Sequence, residues 1–175
     1  MINHSEFIFD LPALKVMEKE HRLFKFLMEE WRPIVLKFER NKFNQEQGLK
    51  AFLALHTKIE QFMEPLHNHF YKEERYLFPL LAQYIGNDHE MILAAEKNHE
   101  EIHQYINCFF DVNKEDMTKI TLPQMKEAAT EVGKVYELLN SHFFKKETFI
   151  FPMLEDILEP REQEQLYKNI TSTLH

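Results

Sequence analysis

Apolar residues recur along most of the chain at three- and four-residue spacing, which sets them on one face of a series of helices. Leu14, Met17, His21, Phe24 and Met28 share a face of the first helix, which Asp10 can cap and Pro12 can open. Pro33 is expected to kink or end that helix, because it removes a hydrogen bond and clashes with the preceding turn. A second element starts near Asn44 and runs through Phe52, Leu55, Ile59, Phe62, Leu66, His69 and Glu73, with a kink at Pro65 and a stop at Gly86-Asn87. The third begins near Asp88 and carries Ile92, Ala95, His99, Ile102, Ile106 and Phe110. Thr121 caps a fourth, with Pro123 in its first turn, and Met125, Val132, Val135, Leu138, Leu139 and His142 continue its apolar face to Pro152. A short terminal helix covers 160–170.

Four amphipathic helices on short connections bury their stripes most simply against one another. The pattern therefore predicts an all-α, antiparallel up-down-up-down four-helix bundle with a short extra C-terminal helix. At 175 residues the chain reads as a single domain, 1–175. Three glycines and seven prolines against 44% hydrophobic residues leave few turn residues for hairpins, which supports the helical reading. The net charge of −8 argues against a nucleic-acid partner, since phosphate is bound through clustered Lys and Arg. Residues 1–10 lack the basic start and apolar run of a secretion signal, and no stretch of ~18 apolar residues could span a membrane. The expectation is a soluble, cytoplasmic protein with no membrane partner. Cys108, the single cysteine, is expected to be a buried structural thiol.

An internal repeat changes this picture. Glu18 to His21 spells EKEH and Glu96 to His99 spells EKNH, while HFYKEERYLFP from His69 is matched by HFFKKETFIFP from His142. The order is the same in both halves, which points to duplication of a two-helix unit, with helix pairs at about 11–85 and 88–155. The repeat brings His21, His69, His99 and His142, one from each helix, onto the inward faces. A lone histidine on an apolar face is usually a core residue with one satisfied hydrogen bond. Four in one cross-section would strand polar nitrogens at roughly 1–3 kcal/mol each, and a metal ion removes that cost. Glu73 follows His69 by four residues and His103 follows His99 by four, so each pair lies ~40° apart and one turn along its helix. His67 and His56 lie roughly 160° and 140° around from His69. With His4, His89 and His175 in termini or a turn, all five are assigned to the surface, and His67 replaces His69 only if Pro65 disturbs the helix.

These residues resemble the hemerythrins and hemerythrin-like (HHE) domains, whose pattern is a histidine, then HxxxE, HxxxH and HxxxxD on successive helices. Here the counterparts are His21, His69 with Glu73, His99 with His103, and His142 with Glu147, over nearly the whole chain. The resemblance implies two iron ions, oxo- or hydroxo-bridged. His99, His103 and His142 would hold one, His21 and His69 the other, and Glu73 and Glu147 would bridge them. Because Lys25 stands where the repeat would put a second His103, the His21/His69 iron would be the one open to ligand. The sequence departs from the pattern at its last carboxylate. Glu147 replaces Asp, and Lys146 takes the position four residues after His142. On a regular helix Glu147 points ~140° away from His142, so a π-type turn is expected there to bring the two together.

The resemblance implies a protein that binds O2, or another diatomic or peroxide, as carrier, store or sensor. A stress enzyme acting on peroxide or nitric oxide, or assisting iron-centre repair, is the alternative, as is a bundle with structural zinc. A ferritin-like reading also exists, because Glu18 with His21 and Glu96 with His99 each spell ExxH, with Glu74 and Glu147 as further carboxylates. It strands His69 and His142, so the histidine-rich site is preferred.

Overall fold

The computed structural model describes residues 6–112 and 116–172, which leaves His4 and His175 outside the described residues. Its elements are α1 (Pro12–Glu39), α2 (Gln45–Lys72), a π-helical turn (Glu73–Leu77), α3 (Phe78–Ile85), α4 (Glu90–Asp111), a 3-10 turn (Met117–Lys119), α5 (Leu122–Lys145), a second π-helical turn (Lys146–Ile150), α6 (Phe151–Ile157) and α7 (Pro160–Ser172). No strand occurs among the described residues. α2 passes through its π turn into α3 without a break, and α5 does the same into α6. Four rods therefore form the antiparallel bundle, and α7 is the fifth helix, packed on α1 and on the first π turn. None of the helices among the described residues is long and apolar enough to cross a membrane.

Local chemistry explains most of the boundaries. Asn44 and Gln47 make a reciprocal capping box at the start of α2, and Thr121 with Gln124 makes another at the start of α5. The two starts are tied together by Gln45, whose Oε1 accepts from the Leu122 N–H at 2.9 Å and whose Nε2 donates to the Ile120 carbonyl at 2.8 Å. Gly86 ends α3 at φ 92°, a backbone conformation that favours glycine. His89 caps α4 by accepting from the Met91 N–H at 3.2 Å, a role for this residue beyond a surface position.

Two local expectations are corrected, for Asp10 and Cys108, and at Pro33 the helix continues. Asp10 does not cap α1. The cap residue is Leu11, without a side-chain bond, and the backbone N–H groups of Asp10 and Leu11 donate instead to Glu155 of α6, a partner 145 and 144 residues away. Pro33 neither ends nor breaks α1. It lies on the exposed side with Glu29 and Glu30, while Trp31, Val35 and Phe38 are buried on the other side, so packing carries the helix past the one missing bond. Cys108 is exposed, because the adjacent Phe109 takes the inward position on α4.

The core has two apolar parts. One is built around Phe24, Met28, Trp31, Phe52, Phe62, Ile102, Val132 and Leu139. The other is built around Leu14, Met17, Leu77, Phe78, Leu81, Ile150, Phe151 and Leu154. His21 falls between Met17 and Phe24 on α1, His99 between Ala95 and Ile102 on α4, and both π turns begin in this same interval. A thin polar layer thus crosses an otherwise apolar bundle. Of the residues expected to wall it, Phe24, Met28, Leu66, Ile102, Ile106 and Leu139 are buried, and Leu138 is partly buried.

Candidate metal centre

The layer is made of His21, His69, Glu73, His99, His142 and Lys146, each at most 1% exposed. His69 outcompetes His67 for the interior, and His67 is exposed. Each long rod widens into its π turn four residues after its histidine, at Glu73 and at Lys146. That widening turns two consecutive side chains to different tasks. Glu73 and Lys146 enter the layer, while Glu74 and Glu147 reach across to the opposite half of the repeat.

Carboxylates hold the outer nitrogens. Glu147 Oε1 lies 2.9 Å from His21 Nδ1, Glu74 Oε1 2.6 Å from His99 Nδ1, and Glu20 Oε2 3.0 Å from His69 Nδ1. An ionised carboxylate only accepts, so each of these Nδ1 atoms carries the proton and each Nε2 turns a bare lone pair inward. Lys72, itself buried, also bonds Glu20. Aromatic rings fix the imidazole planes. His99 stacks on Phe70 at 3.8 Å and on Phe78 at 5.8 Å, and His21 stacks on Phe143 at 4.4 Å and on Phe151 at 5.5 Å. The repeat pairs Phe70 with Phe143 and Phe78 with Phe151, so the two clamps are equivalent.

Two groups of donor atoms converge on Glu73. One comprises His21, His69 and Glu73, the other Glu73, His99 and His142, each with its ligand atoms within 4.8 Å of one another. Glu73 Oε1 is 3.0 Å from His69 Nε2, and Glu73 Oε2 is 3.0 Å from His99 Nε2 and 3.4 Å from His142 Nε2. The Nε2 atoms of His99 and His142 are 3.0 Å apart. His21 Nε2 is buried with no hydrogen-bond partner among the described residues. Lys146 Nζ stands 3.0 Å from His69 Nε2 and also bonds Glu73.

Burial favours the neutral form of His21, His69 and His142. It pushes His21 and His142 well below the ordinary histidine value, helped at His21 by the Lys146 charge and at His142 by His99. His69 is pushed down to about 3 by burial and then by Lys146, against the opposing pull of Glu20. Burial likewise drives Lys146 well below the ordinary lysine value, against Glu20 and Glu147. On the outside, the hydrogen bond from His99 holds Glu74 below the usual carboxylate range. Burial acts to raise Glu20, and its bonds to His69 and Lys72 outweigh that. Inward-facing imidazole nitrogens around one shared carboxylate are the donor chemistry a cation satisfies.

A model of the hemerythrin HHE cation binding domain matches residues 13–154. The chain belongs to this family. Comparison with curated proteins and with solved structures gave no match. The HHE match runs from the start of α1 into α6 and leaves α7 outside.

Of the seven residues that the HHE pattern assigns to metal, the structure brings together His21, His69, Glu73, His99 and His142. His103 and Glu147 join neither group. His103 is half-buried, with its ring 4.5 Å from that of His67 and 5.8 Å from that of Phe70. Burial and the neighbouring His67 lower its pKa. The π turn expected after His142 is present, but the side chain it delivers to the layer is Lys146, while Glu147 holds His21 from outside. The ExxH carboxylates stay out. Glu18 is buried against the N-terminal segment, accepting from the Ile8 N–H at 2.9 Å and the Phe9 N–H at 3.2 Å, and Glu96 is exposed.

Sequence reasoning passed over Glu20 and Lys72 and placed Glu74 only as an alternative ligand. The signal for Glu74 was its repeat equivalence to Glu147. Because Glu74 fixes the tautomer and plane of His99, Glu74→Gln is expected to weaken metal binding about 10- to 100-fold while leaving the fold intact. Competition titration against a chromogenic chelator measures this, and an unchanged affinity would show that His99 needs no such partner.

Proposed function

We propose that this HHE domain is a non-haem iron protein that binds O2, as carrier, store or sensor, at the histidine and carboxylate layer. The observation that carries this reading is the convergence of four inward nitrogens on the two oxygens of Glu73, each position offering two histidines and a carboxylate. That donor set is the one found in non-haem iron sites with open coordination positions. His21, His69, His99, His142 and Glu73 would hold the metal, and the metal would supply the redox chemistry. Glu20, Glu74 and Glu147 hold the imidazoles in the tautomer that leaves Nε2 free. Phe70, Phe78, Phe143 and Phe151 exclude water from both ends of the layer.

Access supports a small ligand. A cavity of about 270 Å³ is lined by Met91, Ala94, Ala95, Phe149 and Ile150 and reaches the layer at His142 and Lys146. Glu90, Asn98 and Lys145 also line it, and its predominantly apolar surface suits a ligand such as O2. Lys146 in the layer favours a second reading, peroxide turnover, in which the metal would supply the redox chemistry and Lys146 Nζ would orient the peroxide by a hydrogen bond. Anaerobic loading with Fe(II), followed by cycles of air and argon, separates the two. A visible absorption change that reverses under argon is expected for O2 binding. Irreversible oxidation without it, coupled to peroxide loss faster than with free iron, would replace the first reading by the second.

A further inference from the structure

We propose that Lys146 takes the place of a second metal ion, so that the layer binds one ion, at Glu73, His99 and His142. This rests on the metal reading above and changes its count, since the family resemblance implies two ions. The two halves match in their inward histidines, in the phenylalanines that stack on them, in the outer carboxylates Glu74 and Glu147, and in the position of their π turns. They differ at the first residue of each π turn, Glu73 in one and Lys146 in the other. Where the first half gives the layer a carboxylate, the second gives it an amine.

The amine lies where an ion would. Its nitrogen stands 3.0 Å from His69 Nε2 and bonds Glu73 Oε1, and these are two of the three donors of the His21 position. An ion there would need those same two lone pairs at roughly 2.0–2.2 Å. Glu20 fixes the His69 proton on Nδ1, so His69 Nε2 has one lone pair, and Lys146 already uses it. The side chain is 1% exposed, and its contacts with His69 and Glu73 hold the amine inside the layer. On the other side, Glu73 Oε2, His99 Nε2 and His142 Nε2 face one another at 3.0 to 3.4 Å with no lysine among them. Two adjacent dications would also share a single inner carboxylate, where each site of a paired centre is ordinarily compensated by its own.

The test is metal content of the full chain after anaerobic Fe(II) loading and desalting, with folding checked by far-UV circular dichroism. Wild type is expected to hold one ion per chain, Lys146→Glu two, His21→Ala one and His142→Ala fewer than one-tenth. Two ions in the wild type would overturn the inference and leave the metal reading standing, whereas none would overturn both. A folded Lys146→Glu variant that stays at one ion would also overturn it. Should Lys146→Glu not fold, the contrast between His21→Ala and His142→Ala decides, and equal losses from both count against the assignment.

Discussion

Glu73→Gln is expected to reduce the metal content of the protein to below one-tenth of wild type. Both groups of donor atoms include Glu73, so a single change of charge affects both positions without changing side-chain volume. Stability falls too. Glu73 and Lys146 are a buried pair, 0% and 1% exposed, and removing one partner of such a pair costs about 3–5 kcal/mol because the other is left uncompensated. The amide oxygen still accepts from Lys146, which puts Gln at the low end of that range. Adding Lys146→Met to Glu73→Gln removes the stranded amine, so urea midpoints should recover in the double variant while the metal content does not. A Glu73→Gln protein with wild-type metal content would show that the layer is not where metal binds.

The metal-free protein is expected to lose stability steeply in mild acid. His21, His69 and His142 are all held below their unfolded value of 6.5, His69 at about 3, so below pH 6.5 the unfolded chain binds protons that the folded chain refuses. The stabilisation is fully present above pH 6.5 and is lost as the pH falls towards the folded values, a window reaching to about pH 3 for His69. Each histidine contributes a slope of roughly 1 kcal/mol per pH unit, and a domain has only about 5–15 kcal/mol in total. Urea unfolding of the metal-free protein at pH 7.5 and 5.5 checks this. Midpoints that do not fall between the two would mean that the histidines are not buried neutral. Bound metal requires the same neutral Nε2 atoms, so metal should be released over the same range.

The bundle was legible because its rules are local. Periodicity, Asn44 and Thr121 as caps, and Gly86 as a stop each act within a few residues. The inward histidines were legible through the repeat. What escaped was set by partners distant in sequence or by competition between packing and propensity. Asp10 had the composition of a local cap, but the residues before α1 are held by Glu155 of α6 and the helix starts after Leu11 without a side-chain cap. Pro33 breaks an isolated helix, yet Trp31 and Val35 anchor this one on both sides of it. For Glu147, the need for a π turn was readable from its spacing, but which of two neighbouring side chains would enter the layer was not. The turn itself decides that, by the angle at which it releases the regular helix. The matching turn at Glu73–Leu77 escaped altogether, since Glu73 already suited a regular helix.

The crossed carboxylates have a consequence for the two halves that share the sequence repeat. Glu74 of the first half holds His99 of the second, and Glu147 of the second holds His21 of the first. Neither half carries a finished set of imidazole partners of its own. The two are interdependent in the manner of exchanged arms in an intertwined dimer, and a change in one half's acidic residue will appear as a defect in the other half's imidazole.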